Sequence, residues 1–149
     1  MARLSMGYPS PEAELAMLGS HGSASPLEHV KPVATAADVR AMVAATREVW
    51  VSESVRQYVV SLAETTRSTP DLRLGASPRA TLHLLRAARA YAALAGRDHV
   101  LPDDVQALAV PVLAHRLLLT SEALMARRSA ADVVTAVVGR TPVPPPAGG

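Results

Sequence analysis

Apolar positions recur every three to four residues through most of this chain, the period of a helix with one buried face. Val55, Val59 and Leu62 keep that spacing behind Ser52, which can cap a helix running to about Ser68. Ser77-Pro78 reads as a second start, a cap followed by proline at the first helical position, and the helix it opens should stop at Gly96. Along it Leu82, Leu85, Ala88 and Ala92 lie near one line, with Leu84, Tyr91 and Leu94 beside them. "PDDVQALAVPVLAHRLLL" supplies a further helix, with Asp103 and Asp104 at its positive end and Pro111 expected to kink or divide it. Thr35 with Asp38, and Ser129 with Asp132, have capping-box spacing. The first opens a helix carrying Val39, Met42, Val43 and Thr46, and the second a Val-rich helix ending at Gly139. A short helix over Pro11–Leu18 follows Ser10, and Val49–Val51 is a brief apolar link.

Between these elements, "GSHGSASPLEHVKPVA" is dense in Gly, Ser and Pro and reads as a flexible loop over residues 19–34, while Pro70 and Gly75 mark a second loop. "TPVPPPAGG" reads as a disordered, polyproline-like tail over residues 140–149. No strand alternation of useful length appears beyond the first residues. The expectation is an all-α bundle of about five to six helices.

Composition sharpens this. The 149 residues suit one ordinary domain, and 49% are hydrophobic, enough for a core. Aromatic residues make up 3% and Phe is absent, so Ala, Val and Leu must fill that core. With no Cys, disulfide and thiolate-metal chemistry are excluded, and a cytoplasmic setting fits best. The net charge of +2 is too small for a nucleic-acid groove, and the basic residues are interleaved with acids. The most apolar stretch carries His115 and Arg116 and is too short to span a membrane. His21, His29, His83, His99 and His115 show no metal-ligand spacing, so no metal site is expected. No nucleophile elbow accompanies the Ser, His and Asp residues, and no catalytic residue is assigned. Trp50 reads as a core or subdomain-contact residue, and Arg127 and Arg128 as solvated.

One stretch invites chemistry. In "GASPRA" a helix mouth offers unpaired N–H groups and a partial positive charge, a natural seat for phosphate. Arg79 sits in that first turn, where a cation is mildly unfavourable. Positions 79, 83 and 86 share a helix face, which makes a short cationic stripe of Arg79, His83 and Arg86. A guanidinium can give a phosphate two hydrogen bonds and stays charged. The plainer reading is that Ser77 and Pro78 form an ordinary cap and that the arginines are solvated.

Several motifs in order go further. "LGASPRATLHLLRAARAYAALAGRDHVLPDDVQALAVPVLAHRL", residues 74–117, resembles the lid subdomain of MoxR-family AAA+ ATPases. "RLSMGYPSPEAE", residues 3–14, resembles the segment by which that family leaves its ATPase core, and "TRSTPDLRLGASPRA", residues 66–80, its sensor-2 region. "GRDHVLPDDV" and "PVLAHRL" resemble the loop, cap and close of the following helix. Magnesium-chelatase-type ATPases have a similar lid. The resemblance implies an AAA+ lid-type bundle over residues 35–139, with residues 1–18 as the connection from core to lid. It implies that Arg79 is the sensor-2 arginine reaching the γ-phosphate of ATP, with Ser77 as its helix cap. It further implies a chaperone-like maturation role, partners in the AAA+ core and the neighbouring subunits of a hexameric ring, and partners carrying a von Willebrand A domain. The family usually places Thr or Ser where Leu101 stands, and losing that cap should cost roughly 1 kcal/mol.

A P-loop requires G-x-x-x-x-G-K-[ST]. The single lysine here, Lys31, lies in "EHVKPVA", and no acidic Walker B strand is present. ATP and Mg would therefore bind only in the presence of a separate core, and the chain alone should hold neither and should not hydrolyse ATP. On the resemblance, the chain is a truncated product, a fragment or an isolated lid. The alternative is a stand-alone helical protein-interaction module without ATP dependence.

Overall fold

The computed structural model describes residues 1–20 and 30–145, which fall in two compact units: Met1–Arg3 with Val43–Gly149, and Leu4–Met42. Seven α-helices and a small antiparallel strand pair are present among the described residues. In chain order they are α1 (Pro11–Ser20), α2 (Ala36–Glu48), α3 (Glu53–Ser68), β1 (Leu72–Leu74), α4 (Pro78–Leu94), α5 (Pro102–Leu113), β2 (Leu118–Leu119), α6 (Ser121–Met125) and α7 (Ala130–Arg140). The all-α expectation holds, with one more helix than foreseen and the strand pair besides.

In the smaller unit, Ser10 Oγ accepts from Ala13 N–H at 3.2 Å at the start of α1, which runs two residues beyond the expected Leu18. The Thr35–Asp38 box is closed in both directions, with Thr35 N–H donating to Asp38 Oδ2 at 2.7 Å and Asp38 N–H to Thr35 Oγ1 at 3.2 Å. Neither α1 nor α2 buries a residue. Most of the expected loop over residues 19–34, including His21 and His29, lies outside the described residues, as do residues 146–149 of the tail.

The larger unit holds the core, between α3, α4, α5 and α7. Fully buried Leu62, Leu84, Leu113, Val105, Val112, Val133, Val134 and Val137 dominate it, each contributing about 1.5–3 kcal/mol relative to exposure. The buried line of α4 is Ala80, Leu84, Ala88 and Ala92, a strict step of four. Leu82, expected on that line, is 53% exposed instead. The small residues let α4 lie close against α5, whose Val105, Ala109 and Val112 are fully buried. Tyr58 is buried too, and its hydroxyl accepts from Gln106 Nε2 at 3.2 Å. Trp50 is not a core residue: it is 58% exposed.

Pro111 does not divide a long helix in two. It sits in the last turn of α5, which closes at Leu113 and tightens into a 3-10 turn over Ala114–Arg116. The chain then turns extended, so Leu118–Leu119 pair with β1 rather than continue the helix. After α6, Arg127 adopts a left-handed φ of 54°, and Arg128 N–H returns to Ala123 O at 3.0 Å. That turn aims Arg128 at Asp71, which it meets at 2.7 Å. Arg128 is therefore an ion-pair partner rather than a solvated charge.

Leu101 cannot cap α5 with its side chain, yet half a capping box survives. Asp104 reaches back to accept Leu101 N–H at 2.8 Å and is gripped by both terminal nitrogens of Arg97, one at 2.7 Å. Burial pushes the Asp104 carboxyl up, but the bonds from Arg97 and Leu101 more than reverse this and leave it below its ordinary 3.8. A depressed carboxylate contributes stability above its unfolded pKa and loses it as pH falls through the folded value. Arg97→Met leaves a buried carboxylate unpaired, and the expected fall in Tm near neutral pH is about 5–10 °C. Thermal melts across pH check this: the gap to the parent chain should be widest near pH 7 and shrink toward pH 3.

Candidate functional site

The mouth of α4 is positioned by the end of α3. Thr66 is completely buried and works in two directions, its hydroxyl donating to Ala63 O at 2.6 Å and accepting Ala76 N–H at 2.9 Å. Next to it, Arg67 Nε donates to Ala76 O at 2.8 Å. Both backbone polar groups of Ala76 are thus held by consecutive residues of one helix. Gly75 makes the approach possible: a Cβ there would lie 2.7 Å from the Cα and N of Arg67. Upstream, β1 is pinned to β2, and Thr120 N–H donates to Asp71 O at 2.9 Å. The loop is fixed from both sides before the helix begins.

Ser77 follows in extended conformation, φ −74° and ψ 161°, and its side chain accepts Ala80 N–H at 3.2 Å, with Pro78 opening α4. This is the cap read from the sequence. Arg79 is exposed and makes no hydrogen bond or ion pair among the described residues. Exposed Leu82 lies one turn along the same face, and exposed Leu74 ends β1 ahead of the cap. A free cation thus stands beside uncovered apolar surface.

The structure brings Arg79, His83 and Arg86 to one face and adds a fourth member. Arg116 crosses from the turn after α5, its Nη2 lying 3.1 Å from His83 Nδ1. It also donates through Nε to Val112 O at 3.1 Å, which holds it at the C-terminal end of α5. Burial, then the charges of Arg116 and Arg79, holds the His83 pKa below 6.5. A neutral His83 leaves Nδ1 free to accept from Arg116. Nothing in the local sequence marks Arg116 for this, since 33 positions separate the pair. Farther along α4, Arg86 and Arg89 line a cavity of about 600 Å³ with Arg47 of α2.

Chemically, this arrangement can bind one edge of an anion through a guanidinium. Among the described residues no group of three His, Asp or Glu side chains could hold a metal, and no helix is long and apolar enough to cross a membrane.

Residues 64–137 match the family model of the AAA lid domain. The chain is 37% identical to YeaC of Bacillus subtilis, covering 95% of this chain and 44% of that protein. It is 32% identical to the chaperone MoxR1 of Mycobacterium tuberculosis, over 95% of this chain and 40% of that one, and 41% identical to the protein MoxR of Paracoccus denitrificans over 62% and 32%. A crystal structure of a candidate ATPase from Cytophaga hutchinsonii superposes with a TM-score of 0.84 at 26% identity, over 97% of this chain and 47% of that one. The chain spans less than half the length of each of these relatives.

Proposed function

We propose, on the premise that this chain belongs to the AAA lid family as MoxR proteins carry it, that the bundle is the movable lid of an ATP-hydrolysing assembly and that Arg79 reads the terminal phosphate of its nucleotide. One observation carries the reading. A guanidinium without a partner stands in the first turn of a capped helix, directly after a loop clamped to α3 through both polar groups of Ala76.

The residues present fit one edge of a phosphate and no more. They offer a single guanidinium near a helix start, without the glycine-rich run and lysine that would cradle a triphosphate. Bound on a separate nucleotide core, ATP and its Mg supply a phosphoryl group whose terminal charge departs at hydrolysis. On this chain, Arg79 contributes a permanent positive charge with two donors. Ser77 fixes the turn that presents it, and Thr66 with Arg67 transmits its position to α3. When the charge beyond Arg79 changes, the balance between a closed and an open lid shifts with it. Exposed Leu74 and Leu82 give the closed state an apolar surface to cover. A chaperone-like maturation role, neighbours in a hexameric ring and von Willebrand A domain partners complete the reading.

The test is to measure ATP turnover by the purified chain and by the chain joined to a MoxR-type nucleotide core. Turnover is expected only in the joined protein. Turnover by the chain alone would contradict the assignment.

A further inference from the structure

Trp50 is displayed rather than packed. Val49 and Val51 on either side are buried, and the alternation of an extended segment sends the indole to the opposite face, where it is 58% exposed. Its backbone is held firmly. Trp50 N–H donates to Asp98 O at 2.7 Å, and Trp50 O accepts Val100 N–H at 3.0 Å, making a parallel bridge with His99. The ring lines a groove of about 350 Å³ together with Val55, Leu101 and Pro102, and the groove is also lined by Pro144 and Pro145 of the proline run.

That run arrives from a fixed anchor. Pro142 forbids continuation of α7, and Thr141 before it turns extended at φ −82° and ψ 120°. Thr141 is buried, with its hydroxyl donating to Val137 O at 2.8 Å and its N–H to the same oxygen at 3.0 Å. Beyond it, Pro142, Pro144 and Pro145 have φ set by their rings and no N–H to strand on an apolar surface. Such a segment loses little conformational freedom on docking, which is why aromatic-lined grooves elsewhere take polyproline strands.

We propose that the Trp50 groove is a polyproline-docking site and that this chain's own segment is its resident, with Pro144 and Pro145 seated along one side of it. Seated there, the segment narrows the groove against proline-rich segments of other proteins.

Trp50 is the sole tryptophan, so its fluorescence reports the groove alone. In a chain ending at Thr141, acrylamide quenching should rise and emission shift to the red. With the indole already 58% exposed, the rise is bounded at about 1.7-fold. A synthetic PVPPP peptide, added to saturation, should reverse both changes. The full-length Pro144→Gly/Pro145→Gly variant should behave like the shortened chain, and it carries the test if shortening disturbs the fold by circular dichroism. Emission and quenching unchanged in a folded variant would overturn the proposal, as would a change that the peptide does not reverse.

Discussion

Arg79→Ala, made in this lid joined to a MoxR-type nucleotide core, is expected to lower ATP turnover by about a hundredfold, the usual consequence of removing one preorganised donor from a site of developing charge. The lid itself should melt within about a degree of the parent, because Arg79 is exposed and makes no bond among the described residues. Arg79→Lys should recover only part of the loss, since an ammonium keeps the charge but not the planar fork. The substitution also carries an internal check. Arg79 is among the charges that hold the His83 pKa down, so that pKa should rise in Arg79→Ala and be visible by NMR titration. Turnover falling together with Tm would mean that the residue supports the fold instead.

Gly75→Ala should act by the opposite route. Its new methyl group would sit 2.7 Å from backbone atoms of Arg67 and 2.8 Å from the carbonyl carbon of Thr66, where no side chain can swing aside. Either α3 or the loop must move, at a cost of about 1–3 kcal/mol, or roughly 5–15 °C in Tm for a domain of this size. Movement of the loop pulls Ala76 away from Thr66 and Arg67, and Ser77 and Arg79 follow. Differential scanning calorimetry and turnover should therefore fall together in Gly75→Ala, whereas in Arg79→Ala only turnover falls. A Gly75→Ala lid that melts like the parent would show that the close approach is not maintained in solution.

These two residues differ in how well the sequence reveals them. Caps are local physics, and those at Thr35, Ser52, Ser77 and Ser129 were all legible from spacings of a few residues, as was the seat of Arg79 in the first turn of α4. Gly75 was legible as a loop glycine, but the backbone against which it packs was not. The same limit hid β1 and β2, each too short for periodicity to register, with Leu72 meeting Leu119 only after α4 and α5 have intervened. It hid α6, five residues long and set by the Thr120 cap. It also hid the partnership of Arg128 with Asp71, 57 positions away. On α4 the periodicity was right and the face slightly wrong: alanine carries little hydrophobic signal, so the line through Ala80, Leu84, Ala88 and Ala92 was less conspicuous than the leucines beside it. Leu101 shows the converse. A missing cap read as a local loss is offset by Asp104, whose carboxylate is kept charged by Arg97 from the preceding loop.

If Arg79 reads the terminal phosphate, this one guanidinium should distinguish a nucleotide that carries that phosphate from one that lacks it. The most direct measurement is the ratio of ADP to ATP dissociation constants for the joined lid and core, with Arg79 and with Ala in its place, under conditions that block hydrolysis. Arg79→Ala should weaken ATP binding, leave ADP binding unchanged and so collapse the preference. Equal weakening of both nucleotides, or of neither, would contradict that role for Arg79.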